Sequence, residues 1–164
     1  MKGKYTVLFV CTGNTCRSPM AEGALRSILG KERSGKFEVI SAGTAAASGF
    51  PATLYAIEAA KVWNVDISGH ISQPLTGALL DKADLVLVMT PEHFREVIRL
   101  RRDAASKTFL LKNFPEEGLE GEPVADPIGQ SLERYNATFL EIGEYLGKSR
   151  DEIVRRIDET INEK

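Results

Sequence analysis

Cysteine is nearly absent from this 164-residue chain: there are two, Cys11 and Cys16. Two residues so close together cannot build the disulfide framework of a small secreted domain. Histidine is as scarce, and His70 and His93 offer no paired ligand spacing, so no metal site is expected. No stretch approaches the length that spans a bilayer. The apolar run near the start, Tyr5–Val10, is too short for the core of a secretory signal and ends in polar residues. The chain is therefore expected to stay in the cytoplasm. Neither charge dominates: 21 Lys and Arg stand against 23 Asp and Glu, for a net charge of −2. That balance argues against nucleic-acid and membrane-surface partners. The one basic run, Arg95, Arg99, Arg101 and Arg102, reads as the solvated end of a helix. Without a repeat, linker or low-complexity segment, residues 1–164 are expected to form a single domain with a real core.

What is present alternates between strand and helix. Tyr5–Val10 is a continuous β-rich apolar run, as in a parallel-sheet strand buried on both faces. Ser18–Leu29 has Met20, Ala24, Leu25 and Ile28 at helical spacing, Pro19 where a first turn tolerates it, and Gly30 as a stop. Further strands are expected at Phe37–Ser41, Leu85–Met89 and Thr108–Leu111, and helices at Ala52–Trp63, Thr76–Lys82 and Pro91–Leu100. In the helix at Ala52–Trp63, Leu54, Ile57 and Ala60/Lys61 mark the apolar stripe. Residues Asn113–Gln130 read as a long surface loop, of a length that is usually functional or mobile. From Ser131 onward Leu132, Tyr135, Phe139, Ile142 and Leu146 follow helical steps, and Ser149-Arg150-Asp151-Glu152 resembles a capping box, which leaves one helix or two. The pattern predicts an α/β domain with a parallel sheet and right-handed crossovers.

The segment Cys11-Thr12-Gly13-Asn14-Thr15-Cys16-Arg17-Ser18 joins the first strand to the first helix. In an open parallel sheet, ligands bind at the carboxyl ends of strands. A tight loop at a helix N-terminus turns successive N–H groups inward and binds anions. Gly13 and Asn14 tolerate the unusual φ values of such a cradle. Five residues separate Cys11 from Arg17. A curled loop would put the sulfur at the bottom and the guanidinium at the rim, with room for a phosphate between them and a bidentate grip from arginine. The same donors favour a thiolate, whose pKa in such settings falls from about 8.5 to roughly 4–7. Ser18 is placed to donate a hydrogen bond to the sulfur.

The stretch VLFVCTGNTCRSPMAE resembles the active-site segment of the low-molecular-weight protein tyrosine phosphatase family, which includes bacterial protein arginine phosphatases. The likeness continues through Ser41–Thr44, Gly69–Thr76, Ala83–Met89 and Ala125–Pro127. It implies a phosphotyrosine phosphatase I-like (Rossmann-like) fold: a four-stranded parallel sheet with helices on both faces. It implies hydrolysis of phosphorylated proteins or peptides through a phospho-cysteine on Cys11. Arg17 and the loop residues Thr12 to Ser18, Cys16 among them, would bind the phosphate, a position that free phosphate or sulfate would also occupy. By its chemistry alone Asp126-Pro127 reads as an ordinary turn; the resemblance makes Asp126 the proton donor and later the base for water, its aim helped by the proline that follows. The resemblance also makes Asn14, Ser18, Ser41 and His70 supports of the cradle, although His70 alone would read as an ordinary histidine. His93 has no counterpart and is expected at the surface. Cys16 would either trap oxidised Cys11 as a disulfide or simply pack. No metal or organic cofactor is required.

The substrate is less determined. Thr15 occupies a position that is Thr in the family's arginine phosphatases and often Ile in its tyrosine phosphatases. Ile128 and Gly129 follow Asp126-Pro127, where phosphotyrosine enzymes often carry stacking aromatics. Against this, arginine phosphatases of the family carry Phe at the position of Ile128. The small residues Ala45 to Ser48 leave Phe50 as the one candidate wall. Phosphoarginine is favoured, with phosphotyrosine as the alternative. A thioredoxin-coupled arsenate reductase would need further cysteines on a distant segment, and a mere binding module would lack the nucleophile, the arginine or the acid.

Overall fold

The computed structural model describes residues 3–163; Met1, Lys2 and Lys164 lie outside them, so the sequence reading of the chain start applies there only from Gly3. The strand Tyr5–Cys11 (β1) is buried along its whole length. Its alternate side chains serve two cores. Tyr5, Val7, Phe9 and Cys11 face one, and Leu8 and Val10 face the other. Fully burying a side chain such as Phe9 or Leu8 contributes roughly 1.5–3 kcal/mol. Two apolar faces explain why this strand reads as an unbroken apolar run rather than an alternating one.

β1 pairs in parallel with β2 (Phe37–Gly43) on one side and β3 (Leu85–Val88) on the other, and β4 (Thr108–Leu110) pairs with β3, giving the order β2-β1-β3-β4. On the Phe9 face, α1 (Arg17–Leu29) and α2 (Leu54–Lys61) pack with the last helix; on the Leu8 face lie α3 (Gly77–Lys82) and α4 (Pro91–Leu100). Thr53, Thr76 and Thr90 cap α2, α3 and α4, each hydroxyl accepting from a backbone N–H three residues on, a typical N-cap bond.

The last helix, α5 (Leu132–Asn162), is one continuous run of 31 residues, which settles the choice between one helix and two. Ser149 does not cap a second helix. Its hydroxyl donates back to the Tyr145 and Leu146 carbonyls inside the helix, the alternative that mid-helix serines use. In α2 the stripe also differs from expectation. Leu54 and Lys61 are exposed, and the buried face is Ala56, Ala59 and Ala60, with Ile57 partly covered. Small side chains let α2 lie close to α1 and α5, so the larger Leu54 points outward. The Arg95–Arg102 run is solvated as expected, with Arg95, Arg99 and Arg101 paired to Glu92, Glu96 and Asp81. Among the described residues, no helix is long and apolar enough to cross a membrane.

Candidate active site

The turn from β1 to α1 lies at the carboxyl end of the central strands, as the sequence predicts, and its shape depends on Asn14. This residue is fully buried and adopts φ +57°, a left-handed conformation that asparagine tolerates better than most. Every polar group of its side chain is used. Oδ1 accepts from Gln73 N at 2.9 Å, and Nδ2 donates to Ser18 Oγ at 2.8 Å and to Ser41 Oγ at 2.9 Å. Its carbonyl accepts from His70 Nε2 at 2.7 Å, which places the imidazole proton on that nitrogen. Ser41 and His70 thus meet the loop through Asn14. Gln73, which the sequence reading did not single out, holds the same residue and also donates to Ser41 O. Gly13 keeps an ordinary φ, so Asn14 alone carries the left-handed turn. Gly43, at the end of β2, is a close-approach glycine: a Cβ there would collide with the Thr12 carbonyl.

Cys11 sits at the end of β1 and is buried. Asn14 N donates to its sulfur at 3.3 Å, the Ser18 backbone N–H joins it, and Ser18 Oγ lies 2.8 Å away. Because Ser18 Oγ accepts from Asn14, its own proton is free to point at the sulfur. Burial is the largest influence on the Cys11 thiol and pushes its pKa up; the Ser18 hydroxyl and amide, the Arg17 charge and the Asn14 amide pull the other way. The sequence-based expectation of a lowered pKa counted these donors, which pull as expected, but not the depth of the sulfur beneath the loop, which opposes them.

Arg17, in the first turn of α1, is buried rather than at the rim. Its Nη1 donates to Val124 O at 3.0 Å and its Nη2 to Thr12 Oγ1 at 3.4 Å. Nη2 also lies 3.5 Å from Asp126 Oδ2. The loop 111–131 is therefore tied to Arg17 at two places, and Val124 N donates in turn to Met89 O at the end of β3. Asp126 is exposed, and its Oδ1 accepts from Ile128 N at 3.1 Å. Thr15 is half-buried; its carbonyl accepts from Thr53 N. Cys16 is buried, with Tyr135 Oη at 3.4 Å and Thr53 Oγ1 at 3.5 Å. Burial, with the bond to Cys16, pushes the Tyr135 phenol up to about 12.

His93 is the residue the sequence misplaced. It is buried, not at the surface, and its Nε2 lies 2.8 Å from Thr12 Oγ1. Burial first, and then the Arg17 charge, push its pKa down to about 4, against the opposite pull of Glu92 and Asp126. The signal that would have found it is topological. β3 lies next to β1, so the turn entering α4 opens beside the turn entering α1.

Comparison with known proteins places these features in a family. The family model for "Low molecular weight phosphotyrosine protein phosphatase" matches residues 6–159. The protein-arginine-phosphatase of Bacillus subtilis is 42% identical over 141 residues, covering 85% of this chain and 91% of the relative. The probable low molecular weight protein-tyrosine-phosphatase EpsP of Ralstonia nicotianae is 38% identical over 152 residues, covering 93% and 95%. A solved structure of the YwlE arginine phosphatase, a cysteine-to-serine mutant with phosphorylated active site serine, superposes with a TM-score of 0.81 at 38% identity, covering 93% of this chain and 99% of that one.

Proposed function

The chain belongs to the low molecular weight phosphotyrosine protein phosphatase family and is a cysteine-dependent protein phosphatase; from that premise we propose that Cys11 is its nucleophile, Arg17 its phosphate clamp, Asp126 its acid and base, and phosphoarginine its substrate. The observation that carries the residue assignment is the meeting of these three. Cys11 and Arg17 frame one loop, and Asp126 reaches Arg17 from the far loop at 3.5 Å.

In the first step the Cys11 thiolate attacks phosphorus. A sulfur–phosphorus bond forms, the bond to the leaving nitrogen or oxygen breaks, and the Asp126 carboxyl gives that atom a proton. The thiolate charge is met by Asn14 N, the Ser18 amide and the Ser18 hydroxyl. Arg17 and the other N–H groups of the loop from Thr12 to Arg17 hold the phosphoryl oxygens, donors already in place before charge develops. In the second step Asp126 takes a proton from water. The oxygen attacks phosphorus, the sulfur–phosphorus bond breaks, and phosphate leaves. Ser41 and His70 hold the loop through Asn14. The scheme calls for no metal or organic cofactor. Free phosphate and sulfate fit the same donors.

Thr15 supports phosphoarginine, and so does the 42% identity to a protein-arginine-phosphatase; Ile128 removes a stacking wall for phosphotyrosine but departs from the Phe of the arginine phosphatases as well. A guanidinium leaving group also suits Asp126, because carboxylate and guanidinium pair bidentately. Phosphotyrosine is the second reading, favoured by the tyrosine phosphatases among the relatives and by the exposed ring of Phe50. Parallel assays on phosphoarginine and phosphotyrosine peptides decide it: a higher kcat/KM on phosphotyrosine would overturn our choice. We take residues 1–164 as one phosphatase domain working in the cytoplasm, where free thiols such as Cys11 and Cys16 stay reduced. Its partners are phosphorylated proteins rather than nucleic acid or membranes, in keeping with the net charge of −2.

A further inference from the structure

We propose that His93 is a positioning residue for the phosphatase reaction: through the Thr12 hydroxyl it sets the pose of the Arg17 guanidinium. The inference rests on the assignment of Arg17 as phosphate clamp. Thr12 Oγ1 lies 2.8 Å from His93 Nε2 and accepts from Arg17 Nη2 at 3.4 Å. His93 Nδ1 is buried and has no partner among the described residues.

That bare nitrogen chooses the tautomer. If Nδ1 carried the proton, a buried N–H would be orphaned, which folded proteins rarely allow. If the proton is on Nε2, the imidazole donates to Thr12 Oγ1 and leaves only an unpaired acceptor at Nδ1. The second arrangement is the cheaper one. A doubly protonated ring would combine the orphaned N–H with a charge beside Arg17, and the imidazole accordingly stays neutral at ordinary pH. The charged groups that act on it are Arg17, Glu92 and Asp126.

With Nε2–H donating, Thr12 Oγ1 accepts twice, from His93 and from Arg17, and both its lone pairs are used. Its own proton is then left for an acceptor outside this chain of bonds, and Thr12 is exposed. An oxygen of the phosphoryl group is an acceptor of that kind. Arg17 is fixed by two protein oxygens, Val124 O and Thr12 Oγ1. A guanidinium has five N–H groups, so three remain for the phosphate and for Asp126. Without His93 the Thr12 hydroxyl can rotate, and Arg17 loses a fixed acceptor on one of its two arms.

The test compares His93→Phe, which keeps a ring but no donor, with His93→Gln, whose amide N–H reaches about as far as Nε2. Turnover is read with para-nitrophenyl phosphate and affinity with inorganic phosphate in a Cys11→Ser background. Thr12→Val is made alone and combined with His93→Phe. His93→Phe is expected to lower kcat/KM about tenfold, the effect of one net hydrogen bond, and to weaken phosphate binding. His93→Gln should restore both to within about threefold of the unaltered protein. Thr12→Val should be at least as impaired as His93→Phe, since it also removes the hydroxyl proton, and the double variant should be no worse than Thr12→Val alone, because His93 acts only through that hydroxyl. If His93→Phe does not fold, His93→Gln and Thr12→Val still decide the matter. A fully active Thr12→Val, or a His93→Gln as impaired as Thr12→Val, overturns the proposal, as does additivity in the double variant. Inactivity of the unaltered protein would instead sink the phosphatase assignment. In that case the phosphate affinities alone would judge the role of His93.

Discussion

Asp126 Oδ2 lies 3.5 Å from Arg17 Nη2, so the group proposed to give the proton rests against the group proposed to hold the phosphate. The two lie 109 residues apart in the chain and meet because Val124 bridges Arg17 to the end of β3. Asp126→Asn removes the titrating carboxyl while keeping its shape. It is expected to lower kcat by about 10²–10⁴-fold, the usual share of general acid–base catalysis. The loss should be smaller with para-nitrophenyl phosphate, whose leaving group needs little protonation. Equal losses on phosphopeptides and on para-nitrophenyl phosphate would count against an acid role.

Cys11→Ser should cut turnover by about 10⁴-fold or more, as removal of a nucleophile does elsewhere. Phosphate binding should persist, because Arg17 and the loop N–H groups proposed to hold the phosphate are untouched. Turnover near that of the unaltered protein, measured under single-turnover conditions, would contradict the assignment.

Asn14→Ala should destabilise the fold by about 3 kcal/mol. It puts alanine, which lacks asparagine's tolerance of the left-handed region, at φ +57°, at a cost of roughly 1–2 kcal/mol, and it strips partners from Gln73 N and the Ser18 and Ser41 hydroxyls. For a chain of this size that is a fall in Tm of about 6–12 °C. Asn14→Gly keeps the backbone conformation and isolates the side-chain share. It should fall between the two, and equal melting of all three proteins would show that Asn14 does not hold the loop.

His93 should make the fold acid-sensitive in a defined window. Its pKa falls from 6.5 to about 4 on folding, so between those values the unfolded chain binds more protons than the folded one. Stability from this group is therefore full above pH 6.5 and is lost as pH falls from 6.5 toward 4. Denaturant unfolding of His93→Gln should show a flatter pH dependence in that interval. An unchanged slope would rule out a depressed imidazole.

Thr15→Ile should shift the ratio of phosphoarginine to phosphotyrosine activity toward phosphotyrosine by at least about tenfold, since an apolar group displaces a hydroxyl from the loop. Identical ratios before and after substitution would show that residue 15 does not select the substrate.

Most of the sheet can be read from the sequence because β1 and β3 are buried on both faces, leaving unbroken runs such as YTVLFV and LVLV. α1 is equally legible, bounded by Pro19 near its start and Gly30 past its end. What the sequence hides is contact across distance. His93 meets Thr12 across 81 residues, Val124 meets Arg17 across 107, and Gln73 meets Asn14 across 59. No local pattern encodes those distances. The buried face of α2 escapes for another reason. Alanines carry little hydrophobic contrast, so Leu54 looks like the inward residue until the closeness of α1 and α5 is seen. Ser149 reads as a start signal because its neighbours suit a cap, while α5 packing keeps the helix continuous.

The bond from Val124 N to Met89 O, together with the grip of Arg17 on the Val124 carbonyl, anchors the peptide groups on both sides of Val124, two residues before the acid. Asp126 then hangs on a leash of two residues, about 7 Å of fully extended backbone. Its swing is limited to that radius while the arginine stays put. A bulky phosphoprotein must therefore bring its leaving atom to the aspartate, because the aspartate cannot travel far to meet it.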